Sequence, residues 1–127
     1  MHQMTKQMSR LIYKILTPAA AAQMQADGQL TPSGVDAADG YVHFSNAAQL
    51  VETLDKHYAG HGDLVLLAVA EDEEACGAAL RWEVSRNGDK FPHLYAPLRA
   101  DMVRYRFALN AARDGLTAWL AGHKEPA

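Results

Sequence analysis

Leu64-Val65-Leu66-Leu67-Ala68-Val69 is an unbroken apolar run, and its lack of alternation decides the fold. Successive side chains of a strand point to opposite faces, so a strand with one wet face alternates polar and apolar residues. A run that does not alternate reads as a strand covered on both faces. It therefore belongs at the centre of a sheet, with packed layers above and below.

Upstream, Leu11-Ile12-Tyr13-Lys14-Ile15-Leu16 is a second apolar, partly β-branched run, bounded by Thr17 and Pro18, and reads as the first strand. Thr17 can cap a helix over 18–27, with Pro18 at its first position and Gly28 past its end. From 29 to 40 the residues are those of turns, among them Pro32, Gly34, Asp36, Asp39 and Gly40, which predicts a surface loop bordering a cleft. Residues 41–44 read as a short strand with Val42 and Phe44 on one side and Tyr41 and His43 on the other, Ser45 continuing the second set. Ser45 or Asn46 then caps a helix whose Ala47, Leu50, Val51, Leu54 and Tyr58 share a face and which Gly60 ends. Its Glu52 and Lys56 form an exposed i,i+4 pair contributing about 0.3 kcal/mol.

Downstream, an acidic excursion over 71–74 precedes a strand over 81–84, in which Arg81 and Glu83 alternate with Trp82 and Val84. The turn Asn87-Gly88-Asp89 leads to Phe91-Pro92-His93-Leu94-Tyr95, a short or edge strand because Pro92 has no N–H for a ladder. Val103, Tyr105, Phe107 and Leu109 alternate with Arg104 and Arg106 in a strand with one wet face, and 116–120 reads as a last strand. The sum is an α+β domain over 11–120, between a disordered extension at 1–10 and a tail at 121–127.

Composition agrees with one globular core: of 127 residues, 49% are apolar and 21% charged. A net charge of -3 supplies no attraction for a polyanion and argues against nonspecific nucleic-acid binding. Cys76 is the only cysteine, which excludes an internal disulfide and a cysteine-built zinc site; with no base beside it, it reads as an inert thiol. The first apolar run is too short for a signal-peptide core or a membrane span, so a cytoplasmic location with no membrane partner is expected. Nothing in the sequence sets the oligomeric state.

Two segments carry chemistry: Asp39-Gly40-Tyr41-Val42-His43-Phe44-Ser45 and Phe91-Pro92-His93-Leu94-Tyr95. In each, the strand period turns a His and a Tyr to one face, away from the apolar neighbours, where they must meet solvent, a ligand or specific hydrogen-bond partners. A structural histidine would look the same in isolation; two such segments together suggest a shared cleft. His titrates near neutrality and suits proton transfer. Arg81 and Glu83 share a face, either as a surface pair or as an anion clamp and a carboxylate for a ribose hydroxyl or developing cation. His57 and His61 are i,i+4 but straddle the helix end at Gly60, so no metal pair is expected there, and a metal held by His43 and His93 is the weakest of the alternatives because only carboxylates could complete the ligand set.

The order of Ile12-Tyr13-Lys14-Ile15, the two histidine segments, Gln49, Leu64-Val65-Leu66-Leu67 and Arg81-Trp82-Glu83 resembles the domain-of-unknown-function-952 family over about residues 11–109. Ala21 and Ala96 stand where that family often has Trp and Gly. The resemblance implies an ADP-ribosyltransferase-like fold, similar to RNA 2′-phosphotransferases, with a split, curved sheet and two or so helices. Tyr13-Lys14-Ile15 stands where those enzymes carry their first-strand signature. It further implies a nucleotide-binding enzyme of the ADP-ribosyl-transfer class, with NAD as a candidate substrate and no resident cofactor firmly implied. In that reading His43, His93 and Glu83 are the catalytic set, His43 acting on the ribose or as acid/base. Tyr13, Lys14, Tyr41, Ser45, Arg81 and Tyr95 bind ligand, Lys14 offsetting phosphate charge. The alternative is a noncatalytic module that binds a small anionic ligand or a protein partner through the same cleft.

Overall fold

The computed structural model describes residues 10–72, 76–85 and 88–122. In chain order the elements are β1 (Leu11–Leu16), α1 (Pro18–Asp27), α2 (Gly34–Asp39), β2 (Val42–His43), β3 (Ser45–Asn46), α3 (Ala47–His57), β4 (Leu64–Ala70), β5 (Leu80–Val84), β6 (Lys90–Leu94), β7 (Tyr105–Leu109) and α4 (Leu116–Gly122). The strands form two open antiparallel sheets, one ordered β3-β1-β4-β7 and the other β2-β6-β5. The expected N-terminal extension lies outside the described residues apart from Arg10, as do Asn87 of the expected turn and 123–127 of the expected tail.

Strand β4 is buried along its whole length, as its unbroken apolar run requires. Its two faces feed two cores. Leu64, Leu66 and Ala68 pack with Tyr13 and Ile15 of β1 against Leu50 and Leu54 of α3 and Leu116 of α4. Val65, Leu67 and Val69 pack with Ile12 and Leu16 against Ala21 and Met24 of α1 and against Val42, Phe44 and Leu94, on or beside the second sheet. The domain is thus layered, with the four-stranded sheet between α3 and α4 on one side and α1 with the smaller sheet on the other.

The caps follow the sequence. Thr17 accepts a hydrogen bond from the Ala20 N–H, and Gly28 closes α1 in the left-handed conformation at φ 80°. Asn46 and Gln49 form a reciprocal capping box at the start of α3. Leu50 and Leu54 are its buried residues, while Val51, expected on the same face, is 44% exposed.

Four expectations are corrected. The loop over 29–40 contains α2, closed by Gly40 at φ 84°, and its Asp36 is buried. Residues 41–45 are not one strand: β2 belongs to the small sheet and β3 to the large one, and the chain crosses between them at Phe44, whose N–H donates to the Pro92 carbonyl. Strand β6 is the middle strand of its sheet despite Pro92. The Pro92 carbonyl faces the β2 side, and N and O of one strand residue point the same way. The missing N–H therefore faces the side where β2 has already ended at His43, and the β5 ladder is untouched. Finally, 116–120 is helical: Leu116, Trp119 and Leu120 recur at i, i+3 and i+4 and pack on the α3 side of the large sheet, giving four α-helices among the described residues where two or so were expected.

Candidate functional site

The small sheet is apolar on one face and polar on the other. Val42, Leu80, Trp82 and Leu94 join the core, so strand parity sends Arg81, Glu83, His43, His93 and Tyr95 the opposite way. His43 and His93 are direct cross-strand neighbours, as are His93 and Arg81. Tyr41, just before β2, lays its ring over His93 at 4.2 Å between centroids and an interplanar angle of 27°, and lies 4.6 Å from the His43 ring and 4.9 Å from the Tyr95 ring.

Each histidine is tied to a carboxylate. His93 Nδ1 lies 2.8 Å from Glu83 Oε1, and the Tyr95 hydroxyl donates to the same oxygen at 2.7 Å. Glu83 Oε2 carries no hydrogen bond among the described residues. The hydrogen bonds from His93 and Tyr95 hold the Glu83 carboxyl below its ordinary value, outweighing partial burial, and the same bond raises the Tyr95 phenol. Burial, then the charges of Asp39 and Glu83, raise Tyr41 as well. At neutral pH the site thus presents a carboxylate between two protonated phenols. The Arg81 guanidinium sits 4.9 Å over the Tyr95 ring.

On the other side, His43 Nδ1 lies 2.7 Å from Asp36 Oδ1, which also accepts from the His43 backbone N–H at 3.1 Å. Asp36 Oδ2 accepts from Lys14 Nζ at 2.7 Å, both side chains being less than a tenth exposed. Burial pushes the Asp36 carboxyl up, but the hydrogen bond from His43 and the Lys14 charge more than reverse this and leave it below its ordinary value. Burial lowers the Lys14 ammonium against the pull of Asp36.

A groove of about 300 Å³ runs alongside, walled by Asp36, Ala37, Gly40 and Tyr41 on one side and Tyr95, Ala96 and Pro97 on the other. Of the expected site residues Tyr41 and Tyr95 line this groove, while His43, Glu83 and Arg81 lie next to those two rings on the polar face, each with part of its surface open. His93 is buried, 3% exposed, and reaches a ligand only through Glu83 and Tyr41. Lys14 is spent on Asp36 inside the protein and is not free to meet a phosphate. Tyr13 and Ser45 lie elsewhere: Tyr13 is buried in the α3–α4 core edge-on to Trp119, and Ser45 is buried in the large sheet with its hydroxyl 3.1 Å from that of Thr53. The sequence reading missed Asp36 and Asp39 as site residues. The available signal was Lys14 itself, a lone cation inside a buried strand, which demands a carboxylate partner.

Asp36 and Glu83 both lose their protons more readily in the folded chain than in the unfolded one. The stability they add is complete above the unfolded carboxylate range, about pH 4, and is lost as pH falls through the folded values. Urea midpoints measured from about pH 7 to pH 3 should fall more steeply in the wild type than in Asp36→Asn. Parallel curves would show that this carboxylate carries no acid-side stability.

Fold and site define a class: a two-sheet α+β domain bearing two histidine–carboxylate pairs under a tyrosine, beside a groove. The chain belongs to the family described as "Protein of unknown function (DUF952)", whose pattern matches residues 15–105. The structure is similar to the crystal structure of protein CC0527 from Caulobacter crescentus, at 44% identity and a TM-score of 0.79 over 87% of this chain and 98% of that one. The solution NMR structure of CC0527 matches at 45% identity and a TM-score of 0.70, covering 79% of this chain and 84% of that one. No curated protein matches the chain. The likeness to RNA 2′-phosphotransferases has no counterpart in these comparisons. Among the described residues no helix is long and apolar enough to cross a membrane, and no group of three or more His, Cys, Asp or Glu could hold a metal ion.

Proposed function

We propose that the groove between Tyr41 and Tyr95 binds a nucleotide of the NAD or ADP-ribose class, and that the chain is an enzyme of the ADP-ribosyl-transfer type. The observation that carries this reading is Glu83. One of its oxygens is fixed by two donors, the other is open, and the carboxylate is ionised beside two aromatic rings and an exposed guanidinium. Cleavage at the ribose anomeric carbon breaks the bond to nicotinamide, whose nitrogen keeps the electron pair, and leaves positive charge on the sugar until the oxygen of water or of an acceptor hydroxyl bonds to that carbon and gives up its proton. A fixed carboxylate stabilises that charge without reorganising. Tyr41 and Tyr95 offer ring faces to a base, and Arg81 offers a partner to phosphate. The groove lies at the small end of ligand sites and suits a nucleoside-sized unit.

The test is a thermal-shift titration with NAD, ADP-ribose and ADP, joined to an assay for released nicotinamide. A ligand at 100 times its dissociation constant adds ~2.7 kcal/mol, several degrees for a domain of this size. Tyr95→Ala and His43→Ala should weaken the shift, whereas Glu83→Gln should bind and lose about a hundredfold or more in turnover. A melting temperature indifferent to all three nucleotides removes the reading; binding without turnover leaves a noncatalytic nucleotide module.

A further inference from the structure

His43 has a second contact that the nucleotide reading does not use. Its Nε2 lies 3.1 Å from Oδ2 of Asp39, the last residue of α2, whose side chain is 48% exposed. Both ring nitrogens therefore face carboxylate oxygens, which accept and do not donate, and only a ring carrying two protons satisfies both contacts. The two carboxylates are not equivalent. Asp36 is buried, bonded also to Lys14 and to the His43 backbone, and fixes the ring. Asp39 has no hydrogen-bond partner but His43 among the described residues.

We infer that His43 Nε2 is an oxyanion-binding position, for a phosphoryl or carboxylate group of a small-molecule ligand, and that Asp39 occupies it in the free protein. Turning Asp39 outward takes one of the two carboxylates off the ring and leaves Nε2 without its partner, a place that an incoming oxyanion can take while Asp36 keeps the ring fixed. The exchange is cheap, because an exposed ion contact of this kind contributes little in water. The position also adjoins the groove, whose wall is made by Asp36, Ala37, Gly40 and Tyr41. A ligand lying in the groove would place one anionic end at His43 while Arg81 remains for another. The inference deepens the nucleotide reading by naming where a phosphate binds, but it stands on geometry of its own.

The test uses the full chain labelled with 15N, titrated with inorganic phosphate and separately with acetate, while the His43 ring nitrogens are followed by NMR. Phosphate should move Nε2 more than Nδ1. Its apparent affinity should be about two- to fivefold tighter in Asp39→Ala than in the wild type, the gain expected from removing one exposed ion contact, with Asp39→Asn in between. Glu52→Gln, which removes a charge exposed elsewhere, should match the wild type. An equal response to acetate assigns the position to oxyanions in general, and a response to phosphate alone to phosphoryl groups; either supports the inference. A His43 signal indifferent to both anions in Asp39→Ala and Asp39→Asn overturns it, as does the same tightening in Glu52→Gln. The two readings fail separately: phosphate bound at His43 without any response to NAD keeps the subsite, and NAD bound with His43 silent removes it.

Discussion

Asp36→Ala should destabilise the domain by about 3 to 5 kcal/mol, the loss typical of breaking a buried ion pair from one side. The substitution removes more than one contact. It strands the Lys14 ammonium, which is 7% exposed and whose one hydrogen bond among the described residues is to Asp36 at 2.7 Å, and it leaves His43 Nδ1 and the His43 backbone N–H without their acceptor. An uncompensated buried cation must stay charged at high cost, deprotonate or draw in water. Against a total stability of about 5 to 15 kcal/mol for a domain, this is a large fraction. The double variant Asp36→Leu with Lys14→Met leaves neither charge behind, so its loss should be smaller than the sum of the two single losses. Urea denaturation of the wild type, Asp36→Leu, Lys14→Met and the double variant closes the cycle. A loss below about 1 kcal/mol in Asp36→Ala would mean that water already solvates the pair.

How much of this was legible before the structure depends on whether the decisive contacts were local. The unbroken run at 64–69, the Thr17 cap and the period of α3 are read from neighbouring residues, and strand, cap and helix stand where expected. The His43 and His93 parity was local too, and β2 and β6 place the two rings opposite one another. Ser45 was drawn into the same set by extrapolating the period of two past Phe44, where the chain leaves one sheet for the other. No rule of alternation survives such a crossing. Asp36 was read as turn chemistry because its partners, Lys14 and His43, come from two other elements. The apolar residues of 116–120 fit strand and helix alike, and the packing of Leu116 and Trp119 against the sheet decides for the helix. The missing N–H of Pro92 argued for an edge strand; the side of β6 it faces is a tertiary fact.

Leu66→Ala tests the strand from which the fold was read, and it should lose about 2 to 5 kcal/mol. Leu66 is fully buried. It pairs with Ile15 of β1 and Phe107 of β7, so the backbone on both sides is held by ladders and cannot move in to fill the space. Above it lies the cluster that holds Leu50 and Leu54 of α3 and Leu116 of α4. The lost transfer energy is therefore joined by most of the cavity term, which places the expected loss in the upper half of that range. Leu67→Ala is the internal comparison. Leu67 points to the other face, where it borders a groove of about 210 Å³ beside Met24 and Arg106. Truncation there enlarges a space that already meets solvent, and its loss should be the smaller of the two. Urea unfolding of both variants measures the difference. Equal losses would show that the groove offers no relief, and a Leu66→Ala loss below about 1 kcal/mol would remove β4 from the centre of the core.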